Sequence, residues 1–232
     1  MQLQAVFFDA GETLVHPHPS FPELLTTALR EEGHEIDPGF VRERLWVVSD
    51  RFLRASRENE LWSTSAERSR AFWSSVYRTF LGELGIEWTD RLAQRLYETF
   101  TDLANYRLFE DAVPALEHLE SSGFQLGLVS NFEDWLERLL DALDVTRFFD
   151  VRVISGAEGV EKPDPRIFEL ALERAGVEPK DSAYVGDNVH FDIEPAQEVG
   201  MLAVLVDRRG RYPDHPGIRI TSLDELPGAL GL

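Results

Sequence analysis

The sequence predicts an α/β fold: a parallel sheet of five or more strands, interrupted by an inserted α-helical bundle. Three observations predict it. An apolar run from Leu3 to Phe8 ends on Asp9. From about 20 to 105, apolar residues recur at helical spacing with no convincing strand. From about 108 onward, short apolar runs alternate with helical segments, the pattern of strand–helix–strand units with right-handed crossovers. The 3–8 strand must join the later strands to be buried. Residues 1–15 and 108–232 are therefore expected to form one Rossmann-like core domain, and residues 16–107 a helical insertion.

The elements follow in order. The strand at 3–8 turns through Asp9-Ala10-Gly11-Glu12-Thr13-Leu14, and His16-Pro17-His18-Pro19 is a loop by its proline content. In the insertion, Phe40, Val41, Leu45, Val48, Phe52 and Leu53 share a helical face, as do Leu92, Leu96, Phe100 and Leu103. Asp37-Pro38 and Thr89-Asp90 have the look of helix starts, and about four helices are expected. Then come a helix over 111–121, a strand 125–129 ending at Ser130-Asn131, a helix 132–143 and a strand 151–154. A helix 164–175, a strand 183–185 ending at Gly186-Asp187, a helix 191–199 and a strand 202–206 complete the series.

Composition narrows the function. The 232 residues are 43% apolar, enough for a proper core, and contain no cysteine, which excludes disulfides and thiolate metal sites. No run approaches the roughly 20 apolar residues of a membrane span, and no basic leader precedes the first apolar run. A cytoplasmic protein is expected. The net charge of −19 disfavours nucleic acid, since little would release phosphate counter-ions. An anionic substrate would need a local exception to that field, built from backbone amides, a metal or a positioned cation. Lysine occurs only at 162 and 180.

In a parallel sheet the carboxyl ends of all strands share one edge, where ligands bind. Asp9, Ser130, Asn131, Asp187 and Asp192 lie at or just after strand ends, and Lys162 sits in Glu161-Lys162-Pro163-Asp164-Pro165. Singly, each has an ordinary explanation as a helix cap, a turn residue or a surface lysine. Together, in this order and context, they match one family. The chain resembles the haloacid dehalogenase-like hydrolase superfamily over nearly its whole length. Asp9–Leu14 matches its D-x-D-G-T-L opening, Ser130-Asn131 the second motif, Lys162 in K-P-D-P the third, and Gly186-Asp187 to Asp192 its G-D-x-x-x-x-D. The helical insertion between the first two motifs resembles the cap of the subfamily I branch, whose loops select the leaving group.

The resemblance implies roles. Asp9 would be the nucleophile that forms an aspartyl ester. Ser130 and Asn131 would bind the substrate, and Lys162 would neutralise charge beside Asp9. Mg²⁺ would be held by Asp9, Asp187 and the carbonyl of Gly11, with Asp192 supporting the metal shell and Thr13 steadying the first loop.

One position departs from the pattern. The phosphatases of this family carry a second Asp as general acid–base where this chain has Gly11. Losing such a group costs about 10²–10⁴ in rate. Glu12 is the nearest surrogate, though an exposed loop carboxylate explains it as well; His16 and His18 follow in the flap. Three readings compete: a Mg²⁺-dependent phosphatase of a small phosphorylated metabolite, weak on poor leaving groups; a 2-haloacid dehalogenase, which needs no such acid; and a non-catalytic binder of a phosphorylated ligand or a protein. Asp187 would repel a carboxylate substrate and weighs against dehalogenation. Phosphonate-cleaving relatives use a cap lysine, and the insertion has none. Trp46 and Trp62 are expected in the helical core, Arg42 and Arg44 on a solvated face.

Overall fold

The structure, a computed structural model, describes residues 3–232. Met1 and Gln2 of the expected core segment lie outside the described residues. The chain divides into two compact units, Met1–His16 with Leu108–Leu232, and Pro17–Arg107.

The first unit holds the sheet. Strands β1 (Ala5–Phe8), β4 (Gln125–Ser130), β5 (Val151–Ile154), β6 (Ser182–Gly186), β7 (Leu202–Val206) and β8 (Ile218–Ile220) run parallel in the order β5-β4-β1-β6-β7-β8. Two short strands, β2 (Val15–Pro17) and β3 (Tyr106–Leu108), form a separate ribbon where the chain passes between the units. All four β1 residues are buried, as expected of a central strand covered on both faces, which reads as a continuous apolar run rather than an alternation. The expected α/β class is borne out. The sixth strand, β8, is an addition.

Register places the strand ends. Phe8 lies opposite Leu128 on one side and Val185 on the other. Asp9 is therefore level with Gly186, and Ser130 stands one residue further along. The chain moves outward to β4 and β5 on one side of β1, then returns to β6, β7 and β8 on the other. Asp9 thus sits at the topological switch point, where open α/β sheets form their crevice.

The unit's helices are α6 (Ala112–Ser121), α7 (Trp135–Ala142), α8 (Ser155–Glu158), α9 (Pro165–Ala175), α10 (Glu194–Glu198) and α11 (Leu226–Leu230). The expected helix over 191–199 is instead a π-helical turn, Val189–Ile193, leading into α10. Asn188 drives it: its side chain accepts from the amides of His190 and Phe191, capping the turn before the expected start.

The second unit comprises α1 (Phe21–Glu31), α2 (Pro38–Arg42), α3 (Trp46–Arg57), α4 (Ala66–Glu83) and α5 (Asp90–Thr101). Side chains of Ser20, Asp37, Ser65 and Thr89 cap α1, α2, α4 and α5, so both expected starts are capped as read. The periodic stretch 40–53 is two helices, broken near 43–45, which makes five where four were expected. The break turns Phe40, Trp46 and Leu53 outward, at 41%, 52% and 42% exposure. Trp62 is buried as expected; Trp46 is not. Arg42 pairs with Glu23 in solvent, whereas Arg44 lies over the Phe40 ring, 3.4 Å from its centre. Leu25, Leu29, Val76, Phe80 and Leu96 form a core of the unit's own, each fully buried side chain contributing about 1.5–3 kcal/mol. Among the described residues, no helix is long and apolar enough to cross a membrane.

Candidate functional site

The carboxyl edge of the sheet brings four of the expected side chains into one buried cluster. Asp9 is fixed at the end of β1 by its amide, which donates to the Val185 carbonyl of β6 at 2.9 Å. Its carboxylate Oδ1 accepts from Lys162 Nζ at 2.7 Å and from Ser130 Oγ at 3.0 Å. Both donors fall on Oδ1. Lys162 Nζ also donates to Asp192 Oδ1 at 2.6 Å and to the Tyr184 hydroxyl at 2.9 Å. The lysine is 2% exposed, so its charge is tolerated only because two carboxylates meet it. Burial opposes that charge, but Asp192 and Asp9 outweigh it and raise the ammonium's pKa above its ordinary value. Lys162 is a fixed cation, not an acid–base group.

The Asn131 side chain is engaged by the backbone of Lys162. Its Nδ2 donates to the Lys162 carbonyl at 2.7 Å, and its Oδ1 accepts from the Lys162 amide at 2.6 Å. The amide side chain thus mimics a strand neighbour and pins the lysine's backbone. Tyr184, fully buried on β6, donates its hydroxyl to the Val129 carbonyl at 2.9 Å and so stands as a fixed acceptor for the ammonium. Asp192 is set by the π-helical turn, its Oδ2 accepting from the Asn188 amide at 2.9 Å. A Cβ added at Gly186 would lie 2.5 Å from the Asp192 carboxyl carbon, so only glycine lets Asp192 approach the strand.

Asp9, Asp187 and Asp192 each offer a carboxylate oxygen within 4.8 Å of the other two. Such a triad could bind a metal ion. The donors are hard oxygens, with no histidine or thiolate among them, a set suited to Mg²⁺ or a similar cation. Asp187 also accepts from Arg211 Nη2 at 2.6 Å. Burial, then the neighbouring Asp192 and Asp9, push the Asp187 carboxyl up to about 7 against the pull of Arg211.

The first loop is closed by its own backbone: the amides of Leu14 and Val15 donate to the Ala10 carbonyl, and Glu12 donates to Val15. Gly11 faces open space, since an added Cβ would meet no atom within 4 Å. Glu12 adopts a left-handed φ of 59°. Its carboxylate is taken by Arg209 Nη2 at 2.5 Å. The Thr13 carbonyl accepts from Arg208 Nη2 at 2.9 Å, while the buried Thr13 hydroxyl has no hydrogen-bond partner among the described residues.

Arg211, Tyr184 and Asp207 were not foreseen. Asp207, 1% exposed, accepts from the Arg211 and Tyr212 amides and from Arg219 Nε, anchoring the loop that carries the arginines. Three arginines directly behind a strand were a usable signal in a chain with a net charge of −19.

Comparison with known proteins agrees with this geometry. The family described as haloacid dehalogenase-like hydrolase matches residues 3–200. The chain is 39% identical over 211 residues to haloacid dehalogenase-like hydrolase domain-containing protein 3 of Mus musculus, covering 89% of this chain and 82% of the relative. It is 32% identical over 223 residues to the glyceraldehyde 3-phosphate phosphatase of Methanopyrus kandleri, covering 91% and 87%. Among solved structures, a dehalogenase superposes with a TM-score of 0.73 at 26% identity, over 97% of this chain and 96% of that one.

Proposed function

The chain belongs to the haloacid dehalogenase-like hydrolase family, and from that premise we propose that it is a Mg²⁺-dependent phosphatase of a small phosphorylated metabolite, working through an aspartyl-phosphate on Asp9. The observation that carries the proposal is the pairing of a buried Asp9–Lys162 ion pair with a second carboxylate, Asp187, close enough to share a cation with it. Likeness to a glyceraldehyde 3-phosphate phosphatase supports phosphoryl transfer.

The residues divide the work as follows. Asp9 Oδ2 attacks phosphorus, the bond to the leaving oxygen breaks, and the phosphoryl group rests on Asp9 until water displaces it. Lys162 and Ser130 hold Oδ1, so the carboxylate presents one oxygen in one orientation. Lys162 carries a permanent positive charge beside the transferring group. Tyr184 and Asp192 hold the ammonium, and Asn131 holds the Lys162 backbone, so that the charge does not follow the phosphate. Asp9, Asp187 and the Gly11 carbonyl would hold Mg²⁺, with Asp192 in support; bound there, it would neutralise phosphoryl charge and orient a phosphoryl oxygen. No side chain at position 11 protonates the leaving oxygen, and Glu12 is engaged by Arg209. Acyl and aryl phosphates, whose leaving groups need no proton, are therefore the best substrates.

The test is phosphate release from acetyl phosphate and p-nitrophenyl phosphate with saturating Mg²⁺. Turnover lost on chelation and in Asp9→Asn is expected; a blank against every phosphoester sinks the proposal. A second reading, 2-haloacid dehalogenation, draws on Gly11 and on the likeness to a solved dehalogenase. Metal-independent chloride release from 2-chloropropionate is the result that favours it.

A further inference from the structure

We propose that Arg211 is an internal counter-ion for the metal site, holding Asp187 in the metal-free protein and leaving it when a divalent cation binds. The proposal rests on the metal-dependent reading above, and on three observations about this chain's own residues.

The first is position. Arg211 lies outside every motif that built the site, yet its Nη2 is 2.6 Å from Asp187 Oδ2 and 3.3 Å from the Asp187 carbonyl oxygen. It occupies one of the three carboxylates that could share a metal. The second is charge. Asp9, Asp187 and Asp192 are answered internally by Lys162, which meets Asp9 at 2.7 Å and Asp192 at 2.6 Å but makes no bond to Asp187. With all three carboxyls ionised, two formal negative charges remain. A divalent cation cancels both; Arg211 cancels one. Cation and guanidinium together would leave the cluster with one net positive charge, which sets the two in competition for Asp187.

The third is freedom of movement. The Asp207 carboxylate clamps the loop backbone, accepting from the Arg211 amide at 2.7 Å and the Tyr212 amide at 2.9 Å. The Arg211 side chain beyond that clamp is 41% exposed, against 15% for Asp187. Exchange therefore needs only a rotation of the arginine into water, with the loop in place. The same loop supplies a control. Arg209 has the same charge but pairs with Glu12, a residue outside the carboxylate triad.

The experiment is calorimetric titration of Mg²⁺ into chelator-stripped protein, with thermal melts with and without the metal. Removing an ion pair of this partly exposed kind should tighten Mg²⁺ binding about three- to five-fold in Arg211→Gln. Arg209→Gln should stay within about two-fold of wild type, its charge being screened and off the triad. Metal-free Arg211→Gln should melt below wild type, and saturating Mg²⁺ should close that gap. Equal affinities in Arg211→Gln and wild type overturn the proposal. So does equal tightening in Arg209→Gln, which would indicate general charge rather than exchange, and so does a melting gap that persists in Mg²⁺. Absence of Mg²⁺ binding in all three proteins overturns the exchange and the metal site together. Wild type that binds Mg²⁺ but releases no phosphate overturns the phosphatase reading alone, and the affinities still decide the exchange.

Discussion

Under the proposed phosphatase reading, Gly11 and Glu12 set the chemistry that Asp9 can complete. The open space at Gly11 admits a Cβ, with no atom within 4 Å of it. Gly11→Asp should therefore raise the rate on alkyl phosphates by about 10²-fold, the usual range for general acid–base help, and raise aryl phosphate rates far less. Parallel kcat measurements on the two substrates check this. Glu12→Gln should change either rate by less than about three-fold, because Arg209 already holds the carboxylate as a surface pair. Asp187 makes a pH prediction. Its carboxyl, raised from 3.8 to about 7, keeps in the folded state a proton that the unfolded chain has lost. Metal-free stability should thus fall as pH rises from about 4 to 7 and then level off. Melts in chelator should show that slope in wild type and less of it in Asp187→Asn. The sequence disclosed Asp9, Asp187 and Asp192 through their places at or after strand ends, and Lys162 through the Lys-Pro-Asp-Pro run that carried the family resemblance. It did not disclose that Asn131 serves the Lys162 backbone, because the two lie 31 residues apart and meet only through folding.

At the scale of elements, what was legible was what repeats. β1, β4, β5, β6 and β7 are apolar runs bounded by turn residues, and each lies where expected. β8 is three residues, Ile-Arg-Ile, and only Ile220 is buried; an edge strand that short leaves no periodic trace. The Asn188-capped turn replaced a helix start for the same kind of reason, a local side-chain bond outcompeting helical spacing. The Asp111 carboxylate, one residue before α6, links that helix to the loop after β7 and to the C-terminal segment. It accepts from Arg208 at 2.7 and 2.8 Å, from Ser222 Oγ at 2.8 Å and from the Leu223 amide at 2.8 Å. Burial works against the charge, but these donors prevail and lower its pKa. The linkage therefore contributes fully above the ordinary carboxylate range and fades as pH falls through the lowered value, the reverse of Asp187. Asp111→Asn should cost about 2 kcal/mol at neutral pH and should flatten the acid limb of urea denaturation below about pH 4.

The whole molecule carries a charge of −19, and the cluster at the sheet edge must work inside that field. Salt should then act in opposite directions on the two reactants. Raising ionic strength from about 20 to 150 mM should raise kcat/KM for a dianionic phosphate while weakening Mg²⁺ binding. Steady-state assays at fixed free Mg²⁺ separate the two effects, and a uniform response would contradict the field argument.

The order in which the sheet is assembled bears on synthesis. Residues 5–8 leave the ribosome well before their partners, residues 125–128 and 182–185. The central strand therefore waits, exposed and wholly apolar, while the more than 170 residues up to its second partner are made. The Pro17–Arg107 unit is contiguous and holds its own core, so it can condense early while β1 remains unpaired behind it. The nascent chain is most vulnerable to chaperone capture or aggregation in that interval, and the hazard ends when β6 emerges to flank β1. The strand that ends on Asp9 is thus among the last to be secured.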